Sequence, residues 1–228
     1  PIVRREPEMD VPSRPLRRFA GGTVRPESCY TRINNWPPVD YRTMSIPVAF
    51  PQTAVGQVQF FDSKGRGVGG GTGFLVGPHH VMTASHVYPW GVAGVRGQFL
   101  PASIAGGNIA AQIMAATAAL TGRPAPATMF PVTGTFGFSN SDDICGYDML
   151  VLNVAGSPGL TYGAFGLALY GDGDQGKAMW TTIGYPCDKG YLPHIETGVI
   201  VEDDDDDDFG TMEIETNATS SPGMSGGP

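Results

Sequence analysis

The chain has 228 residues and a formal net charge of −8; 41% of its residues are hydrophobic and only 16% are charged. This composition allows a sizeable core and excludes wholesale disorder, and the acidic balance argues against a nucleic-acid-binding protein, which needs a basic face. The 33 glycines and 20 prolines are typical of many short strands joined by turns, so we predict an all-β fold.

The cysteines and the apolar stretches limit what else the chain can be. Three cysteines, Cys29, Cys145 and Cys187, allow at most one internal disulfide, and their spacing is not that of a zinc site. We therefore predict no metal site and no other cofactor. The longest apolar stretch, residues 109–120, is too short to cross a bilayer, so we predict no membrane partner.

Residues 1–46 are unlike the rest of the chain, because arginines and prolines alternate there with little hydrophobic periodicity. One interpretation is an extended, partly polyproline arm on the surface. The other is a pro-segment, or an arm that binds an acidic part of the fold. We treat residues 1–46 as a separate unit and residues 47–228 as the folded domain.

From Ala54 onward the pattern becomes that of short strands. Val55–Phe61 alternates apolar and polar residues, and Phe74–Val76 and Val81–Ala84 are short apolar segments beside turns. His86 follows the last of these strands closely, at a place where a side chain can face a cleft while its backbone is held.

The middle of the chain combines a predicted helix with further strands. Residues 106–121 are alanine-rich and favour a short helix inserted outside a barrel. Asp148 stands at the start of an apolar strand, where its carboxylate would be costly to desolvate without a partner such as a histidine. Tyr162–Leu169, Ala178–Pro186 and Gly198–Val201 are predicted to be strands or strand approaches, and Thr211–Thr216 is predicted to be a strand.

An acidic run, Glu202 followed by Asp203–Asp208, precedes the last predicted strand. Such a run repels itself, so we predict a solvated loop or hairpin tip. It lacks the ligand spacing of an EF-hand, which makes a calcium site the weaker alternative. Contact with the basic N-terminal arm is a third interpretation.

Ser225 lies in the segment Gly223-Met224-Ser225-Gly226-Gly227-Pro228, where small residues let backbone N–H groups approach a substrate carbonyl. Such a segment by itself is also common in ordinary loops. His86 and Asp148 upstream make a catalytic role for Ser225 the more specific interpretation. His, Asp and Ser in that order along the chain match one known arrangement of a catalytic triad.

A serine hydroxyl becomes a nucleophile when an imidazole takes its proton, and a buried carboxylate holds that imidazole in the right tautomer. We assign Ser225 as nucleophile, His86 as general base and then acid, and Asp148 as the orienting carboxylate. The N–H groups of Gly223 and Ser225 are assigned to the oxyanion hole. The competing residues are predicted to be exposed, solvated or without a partner: His79, His80, His194, Asp142 and Asp143.

Segments 73–87, 146–152 and 221–228 resemble the chymotrypsin-fold serine peptidases. Segment 182–189 together with 219–228 is similar to their glutamyl-endopeptidase-like branch. The resemblance covers Ala54 to Pro228. It implies two packed antiparallel six-stranded barrels, about residues 54–140 and 155–228, with the triad in the cleft between them. It also implies secretion, protein or peptide substrates, and hydrolysis of peptide bonds through an acyl-enzyme.

The sequence departs from the trypsin pattern at two positions beside the assigned triad. Met224 stands where trypsins carry the aspartate that pairs with a freed N-terminus, and Val87 stands where they carry a disulfide cysteine. Activation by that ion pair is therefore not expected unless another carboxylate replaces the aspartate.

By resemblance, Thr219, Ser220 and Pro222 line the substrate pocket. Thr219 occupies the position of the acidic pocket residue of trypsins, so a preference for Arg or Lys is not expected. Small hydroxyl side chains could instead hydrogen-bond an acidic substrate side chain. Cleavage after Glu is accordingly a hypothesis.

Chains of this family continue beyond the Gly-Gly-Pro turn, so we expect the second barrel to be incomplete in these residues. A separate chain that carries the remaining strands is one possible partner. The alternative function is a catalytically inactive or latent binding module with a peptidase fold.

Overall fold

The computed structural model describes residues 40–104, 107–108, 112, 115–116, 119–120, 127–137, 148–168, 176–177, 180–204, 213–216, 218–221 and 223–228. In chain order the strands are β1 (Thr43–Met44), β2 (Val55–Phe61), β3 (Gly67–Leu75), β4 (His80–Thr83), β5 (Arg96–Pro101), β6 (Ser103–Ile104), β7 (Gly107–Asn108), β8 (Phe130–Gly137), β9 (Leu150–Val154), β10 (Trp180–Gly184), β11 (His194–Val199), β12 (Val201–Asp204) and β13 (Glu213–Thr216). One short helix, α1 (Pro158–Tyr162), follows β9.

Six of these strands form a closed antiparallel barrel in the order β2-β3-β4-β9-β8-β5, which β5 closes by pairing with β2. The alternation predicted for Val55–Phe61 is confirmed, since Val58 and Phe60 are buried while Gln57 and Gln59 between them are half-buried. The barrel ends with β9, Leu150–Val154, and so extends beyond the predicted bound of about residue 140. Its largest fully buried side chains include Phe60, Leu75, Val81, Phe99, Leu150, Leu152 and Tyr162.

The second half is an open arrangement in the described residues. Strands β1, β11 and β10 form a three-stranded antiparallel sheet, and β12 and β13 form a separate hairpin. Val55, Ile183 and Tyr185 make a small buried cluster between this sheet and the barrel. The all-β class and the incomplete second barrel are therefore confirmed.

The last residues of the predicted N-terminal arm belong to the fold. Thr43 pairs with Ile195 and Met44 pairs with His194, which adds β1 to the edge of the second sheet. The prediction of an arm over residues 1–46 was thus wrong for segment 40–46, while residues 1–39 lie outside the described part. The backbone pairing of β1 was invisible in the sequence because so short a strand carries no periodicity.

Two element predictions need correction in the middle of the chain. Residues 107–108 pair with β6 as strand β7, so a helix does not span all of residues 106–121, although the described residues 112, 115, 116, 119 and 120 are helical. The segment Tyr162–Leu169, predicted to be a strand or a strand approach, forms no strand in its described residues, 162–168. Tyr162 ends helix α1, which has Pro158 in its first turn, a favourable position for proline, and residues 163–168 form no regular structure.

The acidic run is also partly a strand. Glu202, Asp203 and Asp204 belong to β12 and pair with β13, so the predicted loop can include only residues beyond 204, and 205–208 lie outside the described part. The strand predicted at Thr211–Thr216 is confirmed for Glu213–Thr216. Of the cysteines, Cys187 is a free thiol in the described part of the chain, and Cys29 and Cys145 lie outside it.

Candidate active site

His86 is held by a short turn at the end of strand β4. Ser85–Val87 form a single 3₁₀ turn, and the Tyr88 N–H donates to the Ser85 carbonyl at 3.1 Å. The indole N–H of Trp90 donates to the same carbonyl at 3.0 Å. These bonds fix the backbone of His86, whose side chain keeps a 20% exposed fraction.

Asp148 lies beside His86 because the strand that follows it, β9, pairs with β4. Its Oδ2 is 2.5 Å from His86 Nδ1, and its Oδ1 accepts the backbone N–H of His86 at 2.8 Å. The carboxylate is 11% exposed. Because one carboxylate binds both the ring and the backbone of the same histidine, it fixes the orientation of the imidazole.

Ser225 lies against strand β3, close to the residue that follows His86. The Thr72 N–H donates to the Ser225 carbonyl at 2.9 Å. A Cβ placed on Gly71 would be 2.8 Å from that carbonyl oxygen and 2.9 Å from Val87 Cγ2. Only a glycine at position 71 therefore lets Ser225 and Val87 approach the strand together.

The turn after Ser225 packs on the end of β4. Gly226 has a φ of +79°, and a Cβ there would be 2.3 Å from Thr83 Oγ1. The structure joins His86 and Asp148 by direct hydrogen bonds. It holds Ser225 on strand β3 through Thr72, and it packs the next residue, Gly226, on the end of β4 that precedes His86.

The segment before Ser225 is anchored by Thr72, which is fully buried. Thr72 Oγ1 donates to the Gly223 carbonyl at 2.7 Å and accepts the Tyr185 N–H at 3.0 Å. Gly223 has a φ of +95°. Neither Gly223 N–H nor Ser225 N–H has a protein acceptor among the described residues.

The predicted pocket residues have different environments. Thr219 is buried, and its N–H donates to Glu196 Oε2 at 2.8 Å. Glu196 is only 4% exposed. Ser220 is exposed, and Pro222 lies outside the described residues.

The competing residues have other contacts or lie outside the described chain. His194 begins strand β11, is buried and lies 2.9 Å from the Leu192 carbonyl through Nδ1, so the prediction that it has no partner was wrong. The ring of exposed His79 stacks near that of half-buried His80. Asp142 and Asp143 lie outside the described residues.

Sequence reasoning missed Glu196. It lies on β11 between half-buried Ile195 and exposed Thr197, and the available signal was its position two residues after His194, on the same face of the strand. A charged side chain on such a strand is ordinarily assigned to the exposed face, whereas Glu196 is buried here.

An ionic cluster next to Ser225 was also missed. Arg42 binds both Asp40 and Asp188, and Lys189 binds Asp40 at 2.8 Å. The hydrogen bond from Arg42 holds the pKa of Asp40 well below its usual range and lowers that of Asp188 to about 2, while Asp40 raises the pKa of Arg42. The signal was the spacing of Asp40 and Arg42, which puts both on one face of an extended segment.

The described residues contain no group of three or more His, Cys, Asp or Glu side chains placed to hold a metal ion. No helix in the described part of the chain has the length and apolarity needed to cross a membrane.

The family model of the trypsin-like peptidase domain matches residues 71–228, a stretch that includes His86, Asp148 and Ser225. The chain belongs to the trypsin-like peptidase family. This assignment confirms the resemblance to chymotrypsin-fold peptidases. The family is one of proteases.

Among solved structures, the peptidase-family chain is similar to a Glu endopeptidase in complex with MPD, with 16% identity and a TM-score of 0.55 over 83% of this chain and 79% of that one. It is also similar to human heparin binding protein, with 15% identity and a TM-score of 0.49 over the same shares. At this identity the first likeness shows the chymotrypsin-like fold. None of the curated proteins matches the sequence significantly.

Proposed function

We propose that this peptidase-family protein is an active serine endopeptidase that cleaves proteins or peptides. The supporting observation is the pairing of His86 Nδ1 with Asp148 at 2.5 Å in a region where Ser225 is anchored to strand β3. With its Nδ1 proton donated to the carboxylate, the imidazole leaves Nε2 as the acceptor for the serine proton.

The proposed reaction runs in two halves. Ser225 Oγ attacks the scissile carbonyl while His86 takes its proton, and the N–H groups of Gly223 and Ser225 stabilise the oxyanion. The C–N bond then breaks, His86 gives the proton to the leaving amine, and an acyl-enzyme remains. A water molecule, deprotonated by His86, hydrolyses that ester and restores Ser225.

The residue before the scissile bond is proposed to be Glu. The hydroxyl side chains of Thr219 and Ser220 support this preference, together with a fold similar to that of a Glu endopeptidase. The buried carboxylate of Glu196, which binds the Thr219 N–H, would repel a glutamate side chain of the substrate and so argues against this preference. Matched peptides with Glu, Gln or Lys at that position decide the matter: faster cleavage after Glu than after Gln supports the preference, and the reverse order overturns it.

A fluorophosphonate, followed by intact mass, tests the catalytic proposal. We expect one adduct on the wild type, none on Ser225→Ala, and an unchanged adduct on Ser63→Ala, because Ser63 is an exposed serine in the β2–β3 turn. A folded wild type that forms no adduct contradicts the proposal and favours the inactive binding module.

Secretion is proposed from the family resemblance alone. The direct measurement is the distribution of the protein between the cells of its source and their surrounding medium. Recovery only from the cell interior would overturn it.

A further inference from the structure

Arg42 is a buried cation next to the turn that carries Ser225. It immediately precedes β1, and its side chain is only 4% exposed. Its Nη2 donates to Asp188 Oδ2 at 2.7 Å and to Asp40 Oδ2 at 3.0 Å, and its Nε donates to Asp40 Oδ1 at 2.9 Å. The planar guanidinium thus bridges two carboxylates, a geometry that a lysine cannot reproduce.

The third partner of Arg42 connects this cluster to the nucleophile turn. Arg42 Nη1 donates to Ser221 Oγ at 2.9 Å, and Ser221 Oγ donates to Asp188 Oδ1 at 2.5 Å. Nη1 also lies 3.7 Å from the Sδ of Met224, the residue directly before Ser225. One guanidinium therefore contacts two side chains within four residues of the nucleophile.

Gly223 and Met224 are held in place by close contacts of their own. The Met224 N–H donates to the Ser221 carbonyl at 3.1 Å. Gly223 packs so closely on the turn that bears Asp188 that a Cβ there would be 2.4 Å from the Tyr185 carbonyl oxygen. A shift of Ser221 relative to Asp188 is therefore transmitted to the backbone of Gly223, whose N–H is an assigned oxyanion donor.

The charges of the cluster balance. Arg42 and Lys189 supply two positive charges, and Asp40 and Asp188 supply two negative ones. Since the cation is buried and the carboxylates are partly exposed, removing Arg42 leaves groups that water can solvate. The fold is thus expected to survive the loss of this side chain, unlike the usual case of a fully buried pair.

We propose that Arg42 is a positioning residue, which acts through Ser221 and Asp188 to hold the N–H groups of Gly223 and Ser225 where a developing oxyanion needs them. This inference rests on the proposed serine endopeptidase function. In trypsins the corresponding ion pair uses an α-amino group that is freed by cleavage of the chain. Here the cation is the side chain of Arg42, so the cluster forms without such a cleavage.

The test compares Arg42→Met, Arg42→Lys and the control Arg66→Met in the full chain. Arg66 also makes an ion pair, with Asp62 in the β2–β3 turn, so its substitution removes the same charge and one carboxylate contact. The saturating rate constant of fluorophosphonate inactivation and its half-saturation concentration are measured separately, below the unfolding temperature of every variant.

We expect Arg42→Met to lower the inactivation rate constant on the order of 10²-fold, the typical cost of a small misplacement, with little change in half-saturation. Arg42→Lys keeps the charge without the bidentate geometry and should lie between Met and wild type. Arg66→Met should match the wild type. A merely structural role of Arg42 would lower the unfolding temperature and leave the rate constant intact.

Ser221→Ala provides a second variant that keeps the bonds of Arg42 to Asp40 and Asp188 but removes its hydrogen bond to the turn, leaving only the contact with Met224 Sδ. If Arg42→Met does not fold, Ser221→Ala tests the positioning role in its place. We expect its inactivation rate constant to fall as well. A wild type that is not labelled overturns the proposed function itself. A labelled wild type whose rate constant survives in both Ser221→Ala and Arg42→Lys overturns the role of Arg42 alone.

Discussion

The backbone N–H of Thr72 donates to the carbonyl oxygen of Ser225 at 2.9 Å. Thr72 belongs to strand β3 of the closed barrel, while Ser225 belongs to the second half of the domain. The hydroxyl of the same threonine binds the Gly223 carbonyl and the Tyr185 N–H. A single buried residue therefore fixes the position of the turn that carries Ser225 relative to the barrel that carries His86 and Asp148.

Replacing Thr72 with valine tests this link, because valine keeps the shape of the side chain and removes the hydroxyl. The Gly223 carbonyl and the Tyr185 N–H would then be buried without this partner. We expect the free energy of unfolding to fall by about 1–3 kcal/mol, measured by urea denaturation, and the fluorophosphonate rate to fall with it. Thr72→Ser keeps the hydroxyl and should retain most of that rate. Equal stability of Thr72→Val and wild type would contradict the prediction.

Gly71→Ala tests the close approach of Ser225 to strand β3. The added methyl would lie 2.8 Å from the Ser225 carbonyl and 2.9 Å from Val87 Cγ2, so one of the two segments must move. A misplacement of this kind typically lowers the rate about 10²-fold, which fluorophosphonate labelling measures. Gly67→Ala is the matched control, since a Cβ at Gly67 in the same strand meets nothing within 4 Å. Equal rates for the two variants would refute the packing explanation.

Asp148→Asn tests the orientation of His86. The amide can still accept the His86 backbone N–H, but an NH₂ group facing Nδ1 favours the wrong imidazole tautomer. In the known Ser-His-Asp template this change lowers the rate about 10⁴-fold, and we expect a loss of that order in labelling with the fold retained. Circular dichroism provides the check on folding. A labelling rate within tenfold of wild type would show that Asp148 does not orient the base.

The ionic cluster predicts a loss of stability in acid. The hydrogen bond from Arg42 lowers the pKa of Asp188 from 3.8 to about 2, so the unfolded chain binds more protons between these values. The stabilising contribution is therefore complete above about pH 4 and is lost as the pH falls through 2. Urea midpoints from pH 7 to pH 2 measure it. Asp188→Asn should lose less stability than wild type between pH 4 and pH 2, and an identical loss would refute this assignment.

The local patterns were sufficient for several elements that position the site. The alternation of Val55–Phe61 predicted strand β2 with its residue bounds, since a strand with one buried face repeats every two residues. The short apolar segments at Val81–Ala84 and after Asp148 predicted most of the two strands that pair beside His86. No strand formed in the described part of Tyr162–Leu169, because glycines and apolar residues are as common in irregular chain after a helix as in a strand. The helix that ends at Tyr162 begins at Pro158, before this segment.

The sequence by itself determined the all-β class, the family, and the order of His86, Asp148 and Ser225 along the chain. These features follow from the composition, from the two-residue repeat of apolar side chains in strands and from short sequence motifs, none of which requires knowledge of distant contacts. Only the tertiary structure decided that Arg42, in the predicted arm, contacts Ser221, and that Glu196 lies buried behind Thr219. Both contacts join segments far apart in sequence, and no local pattern specifies them, because strand pairing and the burial of a charged side chain depend on which partner the fold brings alongside.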